Sequence, residues 1–164
     1  MILDLKPIFN IEGKSLEFNY EIDLSGEELN DAYPFTTPVT VKGSIFNRAG
    51  IVEMQADVDC SLDICCDRCA KPFKYPFDLN IDHTLVSSLE NEDNDDLILI
   101  DDMNFNLDEL VADDIFLNLP VKFLCKEDCK GICPGCGVNL NEGKCSCKKE
   151  VDPRLAALQQ LLDN

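Results

Sequence analysis

Val52-Glu53-Met54-Gln55-Ala56-Asp57-Val58-Asp59-Cys60-Ser61-Leu62-Asp63-Ile64 places an apolar or small side chain at every second position. In an extended chain, that alternation puts those side chains on one face and Glu, Gln, Asp and Ser on the other. It is the pattern of a β-strand, or two in sequence, with one side on a core. Val39, Val41, Gly43 and Ile45 keep the same period upstream, and Asn47-Arg48-Ala49-Gly50 forms a turn between the runs. Phe73, Tyr75, Phe77, Leu79, Ile81, His83 and Leu85 continue it downstream. The expected body is an antiparallel β meander or barrel-like sheet.

The flanks complete an α+β fold class. Residues 1–35 read as short extended pieces joined by polar turns. Residues 90–96 form an acidic loop, and Leu97-Ile98-Leu99-Ile100 is a short apolar strand candidate. Asn106 followed by Glu109 has the form of a helix cap. Leu107, Leu110, Val111, Ile115 and Leu119 supply an apolar stripe, and Pro120 ends it, so one packed helix is expected near 107–118. Asp152-Pro153 offers a second helix start, with Leu155, Leu158, Leu161 and Leu162 on its apolar side. The expected division is an acidic β-rich body over residues 1–120 and a cysteine-rich segment with a terminal short helix over 121–164.

Six of the ten cysteines fall in that last segment: Cys125, Cys129, Cys133, Cys136, Cys145 and Cys147. Cys133-Pro134-Gly135-Cys136-Gly137 followed by Cys145-Ser146-Cys147 brings two close thiol pairs onto short turns. Four sulfurs suit a tetrahedral Zn²⁺ site with bonds of about 2.3 Å. Gly137, free to take positive φ, lets the chain fold back behind the second thiol. Cys66-Asp67-Arg68-Cys69 is another close pair, and it needs two more ligands to close a structural site. Cys125 and Cys129 are available as donors; the competing assignment places one of them in the first site. One or two Zn²⁺ ions are therefore expected. Iron–sulfur clusters also accept four cysteines, but their usual spacings differ.

The net charge is −18, and it is uneven. Residues 1–120 carry 26 acidic against seven basic side chains, whereas 121–164 carry six against seven. Such a body repels phosphate backbones and attracts basic partners, so direct RNA contact is expected only through the C-terminal segment. No apolar run is long enough to span a bilayer. Met1-Ile2-Leu3-Asp4-Leu5-Lys6 has neither a basic lead nor an apolar signal core. A reducing cytoplasm is the expected setting, where clustered thiols act as ligands rather than disulfides.

The remaining reactive side chains give little support to catalysis. Cys60 shares the parity of Val58 and Leu62 and is expected in the core; Cys65 has the opposite parity. His83, the sole histidine, is expected to be a packed or edge residue. No companion motif suggests nucleophilic chemistry, and residues 92–96 lack the glycine and closing Glu of a calcium loop. The expectation is a protein that is not an enzyme. A redox-active thiol protein and a zinc-ribbon RNA-binding module are the alternatives.

Three stretches resemble a known family. Cys66-Asp67-Arg68-Cys69 with Lys71-Pro72-Phe73 is similar to a segment of the YceD-like large ribosomal RNA subunit accumulation proteins. So is the run from Cys129 through Cys133-Pro134-Gly135-Cys136-Gly137 and Asn139-Leu140-Asn141 to Cys145-Ser146-Cys147. Asp152-Pro153-Arg154-Leu155-Ala156-Ala157-Leu158 completes the likeness. Ala70 and Ile132 stand where Leu is usual, and Cys60 and Cys65 lie outside the family pattern. The resemblance implies a ribosome biogenesis factor needed for 23S ribosomal RNA accumulation. Its partner would be a basic ribosomal protein or a pre-ribosomal large subunit.

Overall fold

The computed structural model describes residues 1–88, 97–100 and 103–147. In chain order the elements are β1 (Ile2–Asp4), α1 (Lys6–Asn10), β2 (Ser15–Ile22), β3 (Val39–Arg48) and β4 (Ile51–Cys65). They continue with β5 (Pro72–Val86), β6 (Leu97–Leu99), β7 (Asn104–Asn106) and α2 (Leu107–Asn118). Among the described residues the protein is mostly β with two helices. The acidic stretch of residues 90–96 and the helix expected from Asp152 lie outside the described residues.

The two-residue period becomes one five-stranded sheet in the order β2-β3-β4-β5-β6. β2 and β3 pair antiparallel with Phe18 opposite Gly43, and β3 and β4 pair antiparallel with Val41 opposite Val58. Side-chain bonds from Asn80 to Asp57 and from Gln55 to Asp82 (3.4 Å) advance in opposite directions along β4 and β5, as an antiparallel pair requires. β6 departs from the expected meander, because it runs parallel to β5 with Thr84 opposite Leu97. The barrel-like closure is also replaced. Among the described residues β2 and β6 are open edges, and a last strand of three residues is too short to close the sheet.

Alternation decides what is buried. Val41, Ile45, Val52, Met54, Val58 and Leu62 face the core with almost no exposed surface. Each stabilises the fold by about 1.5–3 kcal/mol relative to an exposed side chain. α2 adds Leu107, Val111 and Ile115 to the same core. Asn106 ends the preceding strand in an extended conformation, as expected of a cap. Its side chain makes no capping bond to the helix backbone, however; it donates instead to Oε2 of Glu109 at 3.2 Å. His83 on β5 reaches Asp114 on α2, with Nε2 2.8 Å from Oδ2, so this histidine is paired within the packed body.

The N-terminal region corrects the sequence reading of extended pieces. Residues Lys6–Asn10 form a helix, with Pro7 in its first turn and Ile8 buried. β1 pairs antiparallel with β7, so the chain's first strand meets the one leading into α2. Cys60, expected in the core, is half-buried against it, and Cys65 is exposed.

Two compact units divide the chain. One comprises Met1–Ile64 with Phe73–Phe123; the other comprises Cys65–Pro72 with the chain from Leu124 onward. The turn between β4 and β5 therefore groups with the cysteine-rich tail. Among the described residues, no helix is long and apolar enough to cross a membrane.

Candidate metal centre

Cys-x-x-Cys turns form the base of both cysteine clusters in the second unit. In the first, Ala70 donates its N–H to the carbonyl of Cys66 at 2.8 Å, and Cys66 donates to the carbonyl of Lys71 at 2.9 Å. The chain thus folds tightly around the two thiols. In the second, Gly137 donates to the carbonyl of Cys133 at 2.8 Å with φ of +73°. The positive φ expected of Gly137 is present. Gly131 takes the same left-handed conformation for a further reason. A Cβ there would stand 2.9 Å from the carbonyl oxygen of Arg68, which accepts the N–H of Ile132 at 3.0 Å.

Those turns gather the eight candidate cysteines into two quartets. The sulfurs of Cys66, Cys69, Cys125 and Cys129 lie within 4.8 Å of one another, as do those of Cys133, Cys136, Cys145 and Cys147. The first grouping joins Cys125 and Cys129 to the Cys66/Cys69 pair; the second contains neither of them. Sulfurs on a tetrahedron with bonds of about 2.3 Å stand about 3.8 Å apart. In the first quartet Cys66–Cys129 and Cys69–Cys125 are each 3.7 Å apart. The second is tighter, with Cys136–Cys145 at 3.4 Å and Cys133–Cys145 at 3.2 Å. None of the ten cysteines is in a disulfide. Both clusters can hold a metal ion.

The ionisation of the thiols points the same way. Burial opposes the Cys66 thiolate, but the amide N–H groups of Cys125, Arg68 and Cys69 donate to it and bring the thiol down to about 6. Cys125 in the same quartet is pushed up to about 12, by burial first and then by its sulfur neighbours. The second quartet repeats the split. Cys133 falls to about 6 through hydrogen bonds from Cys145 and the amides of Gly135 and Cys136, while Cys147 is pushed up to about 12 by Cys145 and Cys136. Within each cluster some thiolates are favoured and others opposed: Cys129 is lowered with Cys66 in the first, and Cys145 is raised with Cys147 in the second. A bound divalent cation removes that conflict, because it favours the ionised form of all four.

The quartets differ in exposure. Cys66, Cys69 and Cys129 are buried and Cys125 half-buried, whereas Cys136 and Cys147 are open to solvent. Around the first, Arg68 Nη1 donates to the carbonyl of Cys129 at 2.9 Å, and Asn141 Nδ2 donates to the sulfur of Cys129 at 3.4 Å. Neither Arg68 nor Asn141 stands out as a site residue from spacing. The sequence signal is that both lie inside cysteine-bounded segments, in the family-like stretches Cys66-Asp67-Arg68-Cys69 and Asn139-Leu140-Asn141.

Residues 54–162 match the family described as Large ribosomal RNA subunit accumulation protein YceD. The chain belongs to the YceD family. The matched stretch includes all eight clustered cysteines. YlbN of Bacillus subtilis is 30% identical over 160 residues, which cover 91% of this chain and 89% of that protein. A Mycobacterium tuberculosis protein is 28% identical over 101 residues, 59% of this chain and 49% of the relative. A chloroplastic protein of Arabidopsis thaliana, named Large ribosomal RNA subunit accumulation protein YCED homolog 1, is 24% identical over 150 residues. Those residues cover 72% of this chain and 46% of the plant protein. The chain therefore spans most of the Bacillus relative but about half of the mycobacterial and plant ones. No solved structure matches this YceD-family chain.

Proposed function

We propose that this protein is a cytoplasmic, non-catalytic factor of large-subunit ribosome biogenesis that supports 23S ribosomal RNA accumulation. Membership of the YceD family, whose description and whose plant member's name both refer to large ribosomal RNA subunit accumulation, carries the reading. Its partner is a basic ribosomal protein or a pre-ribosomal particle. The outward positions of the sheet support that choice. Glu17, Glu21, Asp57, Asp59, Asp78 and Asp82 are exposed there around Lys42. An open face of this charge speeds encounter with a basic surface and repels bare phosphate. Any direct RNA contact falls to residues 121–164.

Zn²⁺ completes the reading. Cys66, Cys69, Cys125 and Cys129 hold one ion, and Cys133, Cys136, Cys145 and Cys147 hold a second. The ion supplies cross-linking and charge balance, and four sulfurs leave no open coordination position for hydrolysis. Such sites organise a short chain that could not otherwise bury a core. Pull-down with the full chain from a cell lysate, at low and at high salt, tests the proposed role. Large-subunit ribosomal proteins or pre-23S RNA should be enriched at low salt and released at high salt. Their absence at low salt removes the assembly role.

A further inference from the structure

We infer that Asn141 is a positioning residue that couples the two four-cysteine sites, so that metal in the second site raises the affinity of the first. The inference rests on the metal reading above. Asn141 lies in the segment between Cys136 and Cys145, whose ends belong to the second quartet. Its side chain nevertheless acts on the first: Nδ2 donates to the sulfur of Cys129 at 3.4 Å, and Oδ1 accepts the N–H of Lys130 at 2.9 Å. Both ends of one amide therefore grip two consecutive residues at the margin of the first site. Asn139 fixes that amide from below, with its Oδ1 accepting Asn141 Nδ2 at 2.8 Å and the Asn141 N–H at 3.0 Å.

The backbone between the sites is a short ladder. Ile132 and Asn139 form an antiparallel bridge, Leu140 donates to the carbonyl of Gly131 at 2.9 Å, and Cys133 donates to that of Val138 at 2.8 Å. Only three residues separate Cys129 of one quartet from Cys133 of the other. A shared ion at Cys136 and Cys145 closes the loop that carries Asn141 and removes most of its freedom. The amide is then held where it meets Cys129. A donor to sulfur favours the thiolate over the thiol and orients its lone pairs. Coupling of this kind is reciprocal.

Electrostatics alone predicts the opposite sign. Each filled four-thiolate site carries a net charge of −2, and two such charges in one unit repel. Cooperation between the sites thus distinguishes the hydrogen-bonded ladder from simple proximity.

The test uses the full chain under buffered free Zn²⁺, with first-site occupancy read from alkylation protection of Cys66, Cys69, Cys125 and Cys129. Asn141→Ala should weaken the first site by about tenfold or more, the size expected for loss of a bond to a metal ligand. A Cys136→Ser/Cys145→Ser variant, lacking the second site, should weaken the first to a similar extent. Combining the changes should add little. Asn141→Asp keeps the acceptor for Lys130 but removes the donor to sulfur, and should match Asn141→Ala. With Co²⁺ in place of Zn²⁺, both Asn141 variants should move the thiolate-to-cobalt charge-transfer band to longer wavelength, which a purely structural role would not do. Retained protection of Cys133 and Cys145 in these variants shows that the unit still folds. A first site indifferent to loss of the second, or fully additive losses, overturns the coupling while leaving two metals in place. A wild-type chain that takes up no metal overturns the metal reading itself.

Discussion

Ala70 and Gly137 hold the same place in two copies of one turn. Each follows the second cysteine of a Cys-x-x-Cys pair, with φ of +55° and +73°, and each donates its N–H to the first cysteine's carbonyl at 2.8 Å. An L-residue with a side chain is disfavoured in this left-handed region, whereas glycine is not. Ala70→Gly should therefore stabilise the protein, by up to about 1 kcal/mol after the entropy that glycine adds to the unfolded chain. Gly137→Ala should destabilise by about 1 kcal/mol. A Cβ at Gly137 meets no atom within 4 Å, so crowding adds nothing to that loss. Thermal denaturation of the metal-loaded chain checks both signs. A destabilised Ala70→Gly protein would show that the two turns are not equivalent.

Asn47 is the buried polar residue that joins α1 to the β3–β4 turn. It is 4% exposed; its Nδ2 donates to the carbonyl of Ile8 at 2.8 Å, and its Oδ1 accepts the N–H of Gly50 at 2.9 Å. Removing the amide leaves a carbonyl and an N–H without their partner. Asn47→Ala should cost about 2–3 kcal/mol by urea unfolding. Asn19→Ala on the exposed face of β2 is the control and should fall within about 0.5 kcal/mol of the parent.

Periodicity reveals packing only where an element is long enough to repeat it. β4 and β5 each run for 15 residues, so their buried parity is legible in Val52 to Leu62 and Phe77 to Leu85. α1 has five residues, too few for an apolar stripe, and the Lys6-Pro7 start alone does not separate a helix from a turn. The apolar run at Leu97 announces a strand, but nothing in it encodes a parallel partner. The cysteine pairs are equally local. Spacing shows that Cys66 and Cys69 can offer two sulfurs to one ion, while their junction with Cys125 and Cys129 depends on how distant segments fold. Asn141 is hidden for the same reason: an Asn between two turns usually serves its own backbone.

Tyr20 should give the fold an alkaline limit. Its hydroxyl is buried without a hydrogen-bond partner among the described residues, and burial pushes the phenol up to about 12. The unfolded chain releases that proton near 10, so it binds fewer protons than the folded chain above this pH. The stability that the neutral phenol contributes is present below about 10 and is lost as pH rises toward 12. Tyr20 should show a delayed ultraviolet titration, and Tyr20→Phe should abolish it. That variant should also be more stable at neutral pH by about 1 kcal/mol, because it removes an unsatisfied polar atom. A destabilised Tyr20→Phe protein would reveal a partner for the hydroxyl.

Metal removal should act on one unit and spare the other. The described core cluster, from Leu3 to Ile115, belongs entirely to the first unit. In the second unit, the buried hydrophobic side chains among the described residues are Cys66, Cys69, Cys129 and Cys133. Thiols packed as small hydrophobes cannot offset the backbone entropy of ordering the segment, so under the metal reading proposed above its order should depend on a bound ion. Chelation under reducing conditions should abolish hydrogen-exchange protection at the Cys66, Ala70, Cys133 and Gly137 amides. The amides of β3 and β4 should stay protected, because their ladder and apolar face are unchanged. Acid should do the same, since protons compete with the cation for sulfur. If protection at Ala70 and Gly137 survives complete removal of metal, the turns are held by their own hydrogen bonds and the ion is not what orders them.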